Sequence, residues 1–253
     1  MSTSKIALVT GGSRGLGKNM ALNLAKKGLD VSLTYHTQQA EAEGVVAEIA
    51  AAGQTAVALQ LDACNGSTFG AFFEQITAAL HDTFDTDKFD FLINNAGTGL
   101  YAPFAETTEA QFDQALNSHF KGPFFLTQQA LPLLNDGGGI INISSGLTRI
   151  INPSSSAYAS LKAAMETLTK YQAKELGSRR IRVNIVAPGA IETDFGGGRT
   201  RDNKEINTHI ASLTALGRVG LPTDTGPVVA FLCTDEAGWI DAQRIEVSGG
   251  QGI

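Results

Sequence analysis

A tyrosine and a lysine four residues apart form the pair in this sequence with the clearest chemical potential. Tyr158 and Lys162 fall in a stretch of helical character, and residues four apart lie on one face of a helix. A free phenol has a pKa of about 10, too high for a good base at neutral pH. A neighbouring ammonium favours the phenolate and lowers that pKa. The spacing therefore predicts a general acid/base that exchanges a proton with a substrate oxygen.

Ser145 adds a hydrogen-bonding hydroxyl just after the predicted strand Gly139–Ile143. Placed beside Tyr158, it would hold a substrate oxygen during the reaction. Each residue taken singly has an ordinary interpretation: Ser145 in a turn, Tyr158 as a half-buried aromatic and Lys162 on a solvated helix face. Catalysis is favoured by their occurrence together with a glycine-rich loop and an Asn-Asn-Ala-Gly turn.

The loop from Thr10 to Gly17 has the composition of an anion site. Its glycines let the backbone turn sharply beside a phosphate, and the following helix offers free N–H groups and the positive end of its dipole. A nucleoside triphosphate loop fits Gly12–Lys18, but Asn19 stands where a magnesium-binding Ser or Thr is needed. A hydrolase nucleophile elbow fits Gly11–Gly15, yet here it follows the first strand. The glycines at 11, 15 and 17 serve a dinucleotide equally well.

Short apolar runs alternate with amphipathic stretches along the chain. The predicted strands are Ile6–Val9, Val31–Tyr35, Thr55–Leu61, Phe89–Ile93, Gly139–Ile143, Ile181–Val186 and Arg244–Val247. The predicted helices are Asn19–Ala25, Glu41–Ala52, Phe69–Leu80, Glu109–Leu134, Tyr158–Leu176 and a helix near Pro227–Cys233. This alternation implies right-handed βαβ crossovers. We predict an α/β fold with a single doubly wound parallel sheet of about seven strands and helices on both faces, spanning 1–253 as one Rossmann-like domain.

The segment Phe195–Leu216 interrupts this alternation and contains no strand pattern. It begins with three glycines and carries Arg199, Arg201 and Lys204. A long insertion near the end of a strand is typical of a lid over a ligand. We therefore predict a substrate lid at 195–216, with a surface helix of no special role as the alternative.

Four features in order carry a resemblance to a known family. Asn94–Gly97 ends the fourth predicted strand, Ser145 follows the fifth, Tyr158 and Lys162 share a helix, and a Pro-Gly pair follows the sixth strand. In this order and spacing almost the whole chain resembles the short-chain dehydrogenase/reductase family. The resemblance implies hydride transfer between a nicotinamide and a carbonyl or alcohol carbon of a small molecule, with Tyr158 as general acid/base.

The resemblance also implies the residues that bind the cofactor. They are Gly11, Ser13, Arg14, Gly15, Leu16, Gly17, His36, Asp62, Ala63, Asn95, Ala96, Gly97, Tyr158, Lys162, Pro188, Gly189, Ile191 and Thr193. We predict NADP(H), because the second strand ends at His36 without the carboxylate that NAD-specific members use. Arg14 would face the 2′-phosphate, whose geometry suits a guanidinium.

One position departs from the family pattern. Members usually place an asparagine three residues before a glycine in the helix after the fourth strand, where it supports a water linked to the lysine. Counting back from Gly122 gives His119, and Asn117 lies two residues earlier. We predict that His119 takes over this relay, because imidazole both donates and accepts a proton. The alternative is that His119 only packs at this position.

Composition and charge argue against several classes of partner and cofactor. The net charge of −6 argues against a nucleic-acid or anionic-membrane partner. Two cysteines, Cys64 and Cys233, and no signal-peptide core or membrane span predict a cytoplasmic location. The four histidines share no ligand spacing, so no metal is expected. The resemblance implies a homotetramer joined in part through Arg244–Gly250. A non-catalytic NADP(H)-binding regulatory protein and a phosphate-loop hydrolase remain the alternative functions.

Overall fold

Seven strands form one parallel sheet in the order β3-β2-β1-β4-β5-β6-β7 in the computed structural model, which describes residues 4–253. The strands are β1 Ile6–Val9, β2 Asp30–Tyr35, β3 Ala56–Gln60, β4 Phe89–Asn94, β5 Leu134–Ile143, β6 Arg182–Pro188 and β7 Arg244–Val247. All six neighbouring pairs are parallel. The predicted doubly wound α/β fold is therefore confirmed.

Nine α-helices accompany the sheet in the part of the chain that the structure describes. They are α1 Gly15–Lys26, α2 Gln39–Ala51, α3 Phe69–Phe84, α4 Glu109–Leu116, α5 Gly122–Ala130, α6 Ser156–Leu176, α7 Arg199–Asp202, α8 Lys204–Ser212 and α9 Pro222–Leu232. Within residues 4–253, no helix has the length and apolar character needed to cross a membrane.

The hydrophobic core has two halves, one on each face of the sheet. Successive strand residues point to opposite faces, so Ala7 and Val9 of β1 enter one half while Ile6 and Leu8 enter the other. The first half receives the buried sides of α1, α2 and α9, and the second receives those of α3, α5 and α6. Both faces of β1 are apolar because both are covered.

The predicted helix Glu109–Leu134 is helical without interruption through Leu133. It is irregular inside: α4 ends at Leu116, a π-helical turn covers Asn117–Lys121, and α5 starts at Gly122. Pro123 accounts for the π-helical turn, because proline has no N–H to donate to the carbonyl of the residue four positions earlier, which is His119. Leu134 already belongs to β5, which therefore starts five residues before the predicted Gly139.

Two other helices begin four or five residues earlier than predicted. Helix α1 starts at Gly15, whereas the apolar spacing indicated a start at Asn19. The last helix α9 starts at Pro222 instead of Pro227. Proline is well tolerated in the first turn, where its missing N–H has no helical partner to lose. The sequence reading placed the helix start at the second proline.

The sheet brings the carboxyl ends of its strands to one edge. Strand order reverses between β1 and β4, which creates the crevice where ligands bind in open α/β sheets. The glycine loop follows β1, Asn95 follows β4, Ser145 follows β5 after one residue, and Gly189 follows β6. Four segments that are distant in sequence therefore meet at this edge.

Candidate active site

The glycine loop is shaped by backbone conformations and contacts that exclude side chains. Gly11 and Gly15 have φ of 66° and 55°, in the left-handed region that favours glycine. A Cβ on Gly17 would overlap the carbonyl group of Gly11, so α1 begins directly against the end of β1. No side chain caps the first turn of α1 at its N-cap residue Arg14. Its N–H groups therefore form a cradle suited to a phosphate.

Thr10 and Asn95 lock this loop to the end of β4. The Asn95 amide nitrogen donates to the carbonyl oxygens of Thr10 at 2.9 Å and Gly11 at 3.1 Å. The Thr10 hydroxyl accepts from the backbone N–H groups of Asn95 and Ala96, both at 3.0 Å. The side chain of Asn95 is thus committed to shaping the cradle. Sequence reasoning missed Thr10, although a threonine directly before the first glycine was a visible signal.

Three predicted cofactor-binding residues, Arg14, His36 and Asp62, follow β1, β2 and β3. Arg14 and His36 are exposed, and His36 Nε2 lies 3.9 Å from a carboxylate oxygen of Asp62. Asp62 also accepts a hydrogen bond from the backbone N–H of Cys64 at 2.9 Å. Strand β2 ends at Tyr35 and is followed by His36, so no acidic side chain stands at this end of the strand.

The loops after β6 form the other wall of the crevice. A Cβ on Gly15 would lie 3.6 Å from Thr193, which places Thr193 beside the start of α1. Gly189 packs so tightly on Ser248 that a Cβ would approach it to 2.9 Å. Ile191 pairs with Gly220 in an isolated bridge. Thr193 therefore faces the glycine loop, and Gly189 ties the same segment to the chain end.

Tyr158 and Lys162 lie buried on one face of α6, as their spacing predicts. The Lys162 ammonium donates to the carbonyl oxygen of Ile143 at 2.7 Å and lies 5.7 Å from the centroid of the Tyr158 ring. Burial lowers the pKa of Lys162 to about 8. The ammonium is therefore held between the end of β5 and the tyrosine.

The pKa of Tyr158 departs from the sequence-based expectation. Burial raises the pKa of Tyr158 above its ordinary value, and the hydrogen bond with Ser145 opposes that rise. Desolvation of the phenolate outweighs the neighbouring groups, so the predicted lowering of this pKa is not found in the protein alone. A phenol that keeps its proton is suited to donate it to a developing alkoxide.

Ser145 is placed by a one-turn helix at the end of β5. It is the N-cap of the 3-10 turn Gly146–Thr148, and its hydroxyl accepts from the backbone N–H of Leu147 at 3.2 Å. The same hydroxyl lies near the side chain of Tyr158 and acts to lower the pKa of that phenol. Two hydroxyl groups therefore converge on the place where a substrate oxygen would sit.

His119 lies in the π-helical turn, against the side chain of Tyr158. Its ring meets the Tyr158 ring edge-on at 4.9 Å and 88°, and Nε2 lies 2.7 Å from the carbonyl oxygen of Thr98. A carbonyl only accepts, so Nε2 carries the proton. Nδ1 is buried and has no hydrogen-bond partner among residues 4–253. Burial, reinforced by the charge of Lys162, lowers the pKa of His119 to about 3.

The predicted lid segment lies against the same tyrosine. The 3-10 turn Phe195–Gly198 brings the Phe195 ring to 5.9 Å from the Tyr158 ring. Gly196 is so close to the Tyr101 ring that a Cβ would approach it to 2.7 Å. The Arg199 guanidinium stands 5.8 Å from the centroid of Tyr101. Aromatic side chains of two segments thus lie next to Tyr158.

A family model described as enoyl-(acyl carrier protein) reductase matches residues 11–251. The chain belongs to the short-chain dehydrogenase/reductase family. It is an oxidoreductase of that family, and the match covers all the segments that meet at the carboxyl edge of the sheet.

Similar short-chain dehydrogenase/reductases include several named reductases. A hydroxynaphthalene reductase-like protein, Arp2 of Metarhizium robertsii, is 36% identical, with 98% of this chain and 95% of Arp2 covered. The structure of LugOII, a promiscuous reductase that catalyses keto-reduction at C1 during lugdunomycin biosynthesis, is 38% identical with a TM-score of 0.93, covering 99% of both chains. The angucycline C-6 ketoreductase LanV, solved with bound NADP, is 35% identical with a TM-score of 0.93, covering 98% and 96%.

Proposed function

We propose that this short-chain dehydrogenase/reductase is an NADP(H)-dependent ketoreductase that converts a small-molecule ketone to an alcohol. The observation that carries the proposal is the convergence of Ser145, Tyr158 and Lys162 beside the glycine cradle. The reductive direction fits a tyrosine whose proton is retained by burial. The reductase activities named for Arp2, LugOII and LanV support the same reaction class.

The residues at the carboxyl edge fit a dinucleotide. The cradle between Gly11 and Gly17 has room for a pyrophosphate because glycine fills each position where a side chain would intrude. Ala96, Gly97 and Thr193 line the continuation of the crevice toward Tyr158. When bound there, the reduced nicotinamide supplies the hydride that reaches the carbonyl carbon of the substrate.

The protein's own groups then control the carbonyl oxygen. Ser145 and Tyr158 donate hydrogen bonds to it, and Tyr158 transfers its proton as negative charge develops. The ammonium of Lys162 stabilises the phenolate that remains, because the two groups share a buried site of low polarity. The three residues thereby act on one substrate atom.

His119 serves this site best as a neutral positioning residue. Its Nε2–H holds the carbonyl of Thr98, and its ring edge supports Tyr158. A histidine with a pKa of about 3 does not take up a proton near neutral pH, which argues against a relay through imidazolium. The Nδ1 lone pair is available to accept a hydrogen bond from a water.

The substrate we propose is a ketone attached to an aromatic ring system. Phe195 and Tyr101 flank Tyr158 and offer flat apolar surfaces to a planar ligand. Thr98–Tyr101, Leu147–Ile151 and the lid at 195–216 supply the walls. The names of Arp2 and LanV, a hydroxynaphthalene reductase-like protein and an angucycline ketoreductase, support this class.

The protein's oligomeric state and cellular location are part of the proposal. We infer a homotetramer, because α5 and α6 expose Phe125 and Tyr171, and a loop before β7 exposes Trp239 almost completely. Exposed aromatic side chains on neighbouring helices are typical of subunit contacts. We also propose a cytoplasmic protein that acts without a nucleic-acid, membrane or metal partner.

Cofactor choice tests the proposed function. The wild-type protein should oxidise NADPH in the presence of 1-tetralone, an aromatic ketone, and should prefer NADPH to NADH. Replacing Arg14→Ala should raise KM for NADPH by about 10-fold or more, since a lost phosphate contact removes roughly 1.5–3 kcal/mol. KM for NADH should barely change. Preference for NADH in the wild-type protein would refute the assignment of Arg14.

A further inference from the structure

A carboxylate outside the catalytic set joins the helix of Tyr158 to the turn of Ser145. Glu166 lies on α6, four residues after Lys162 and eight after Tyr158, and therefore shares their helical face. Its side chain is only 19% exposed. Nothing in the catalytic chemistry described above uses this carboxylate, so its enclosed position calls for a separate explanation.

The carboxylate holds both sides of Ser145. One oxygen of Glu166 accepts from the hydroxyl of Ser144 at 2.6 Å and lies 2.9 Å from the hydroxyl of Thr148. Ser144 directly precedes Ser145, and Thr148 lies three residues after it. The Thr148 hydroxyl is also 3.0 Å from the carbonyl oxygen of Ser145. The backbone that carries Ser145 is thus fastened to α6 at two points.

A hydrogen-bonded series of alternating glutamate and arginine side chains holds Glu166 in place. Arg244 of β7 donates to Glu166 at 2.8 Å, to Thr148 at 3.1 Å and to Glu246 at 2.8 Å. Arg149 completes the chain by donating to Glu246 at 3.0 Å and to backbone carbonyls at the chain end. The pKa of Glu246 is lowered to about 2, chiefly by its hydrogen bond with Arg149.

These contacts determine the spacing of the two reacting hydroxyls. Tyr158 moves with α6, whereas Ser145 moves with the turn after β5, and the Glu166 carboxylate bridges the two elements. We propose that Glu166 is a positioning residue that sets the distance between the hydroxyls of Ser145 and Tyr158, with Arg244 holding its carboxylate in place. This inference rests on the proposed ketoreductase function.

Removing the bridge should impair turnover more than cofactor binding. Glu166→Ala should lower kcat by about 10- to 100-fold, because a displacement of about 1 Å at a reacting group has effects of this size. The Kd for NADPH, measured by fluorescence, should stay within about 2-fold, since the glycine loop is untouched. Glu166→Gln should recover much of the loss, because its amide oxygen still accepts from Ser144 and Thr148.

A second variant covers the case in which Glu166→Ala fails to fold. The double change Ser144→Ala/Thr148→Val removes the hydroxyl contacts and retains the Glu166–Arg244 ion pair, and it should lower kcat to a similar extent. Asp136→Ala is the matched control, because it breaks an ion pair with Arg179 of 2.7 Å at the opposite end of β5. The control should retain wild-type kcat.

A double-mutant comparison with Ser145→Ala distinguishes a positioning role of Glu166 from general destabilisation of the protein. In a Ser145→Ala background, Glu166→Ala should cause less than about a 3-fold further loss, because the group that it positions is already gone. Crystal structures of Glu166→Ala should show a wider separation of the Ser145 and Tyr158 hydroxyls. Equal losses in both backgrounds, or an unchanged separation, would overturn the inference.

The structural readout also separates the two proposals. If the wild-type protein reduces no ketone with NADPH, the proposed function fails. The separation of the two hydroxyls in Glu166→Ala then still decides whether Glu166 positions Ser145.

Discussion

At the residue scale, opposing influences on single side chains determine the protonation states in the site. Burial holds the proton on Tyr158 by raising its pKa, and the neighbouring Ser145 opposes that rise. Lys162 is itself buried, so its pKa of about 8 leaves it mostly charged at neutral pH. His119 is neutral because the same ammonium and its own burial exclude a second positive charge. At neutral pH, Lys162 is therefore charged and the adjacent His119 is not.

The buried His119 predicts an acid-dependent loss of stability. Its pKa falls from 6.5 when unfolded to about 3 in the folded protein. Between these values the unfolded chain binds a proton that the folded chain does not, so stability falls as the pH drops below 6.5. From pH 7.5 to pH 5.0 this amounts to about 2 kcal/mol.

Urea unfolding at both pH values measures this effect by comparison with His119→Asn. The wild-type protein should lose about 2 kcal/mol more than the variant on acidification. An equal loss in both proteins would mean that the folded imidazole takes up a proton as readily as the unfolded one, which would contradict the neutral state assigned to His119.

At the element scale, the start of α1 and the turn before α5 shape the site. Gly17 allows the first turn of α1 to touch the end of β1, and Pro123 follows the π-helical turn that carries His119. A side chain at position 17 would prevent the first contact. The position of the cofactor cradle relative to Tyr158 depends on both features.

Two glycine substitutions should affect different properties, one weakening NADPH binding and the other stabilising the fold. Gly17→Ala would push its Cβ into the Gly11 carbonyl, so the cradle must open and the Kd for NADPH should rise by at least about 10-fold. Gly44→Ala lies on the exposed side of α2 with no atom within 4 Å of the new Cβ, and it should stabilise the fold by up to about 1 kcal/mol. Fluorescence titration and thermal unfolding measure the two effects. Unchanged NADPH binding in Gly17→Ala would refute the proposed cradle.

Local spacing was sufficient to predict some elements and insufficient for others. Tyr158 and Lys162 share a helical face by sequence alone, and apolar runs located all seven strands. The π-helical turn at Asn117–Lys121 was not predicted, because the apolar spacing is continuous there and only Pro123 signals an irregular helix. The contacts of Glu166 with Arg244 join residues 78 positions apart. Such contacts depend on which strands become neighbours, which no local pattern specifies.

At the scale of the whole molecule, exposed aromatic side chains remain outside the core. Phe125 and Tyr171 are 42% and 64% exposed on α5 and α6, the helices that cover one face of the sheet. Burying such side chains against a second copy would stabilise an assembly by roughly 25 cal/mol for each Å² removed from water. The proposed tetramer is the simplest account of this surface.

Sedimentation velocity tests the assembly. The wild-type protein should sediment as a tetramer, and Phe125→Glu/Tyr171→Glu should give smaller species, because charges in an apolar contact remain unpaired. Ala50→Glu places a charge on the exposed side of α2 and should leave the tetramer intact. A wild-type monomer, or a tetramer that tolerates both glutamates, would contradict the proposed contact.

The most direct test of the central claim compares the wild-type protein with Tyr158→Phe. NADPH oxidation is followed with 1-tetralone, and NADPH binding is measured in parallel. We predict turnover by the wild-type protein and a loss of about 100-fold or more in kcat for the variant, because proton transfer by a positioned acid contributes that much. NADPH should still bind to the variant. Comparable turnover by Tyr158→Phe would contradict the assignment of Tyr158 as the general acid.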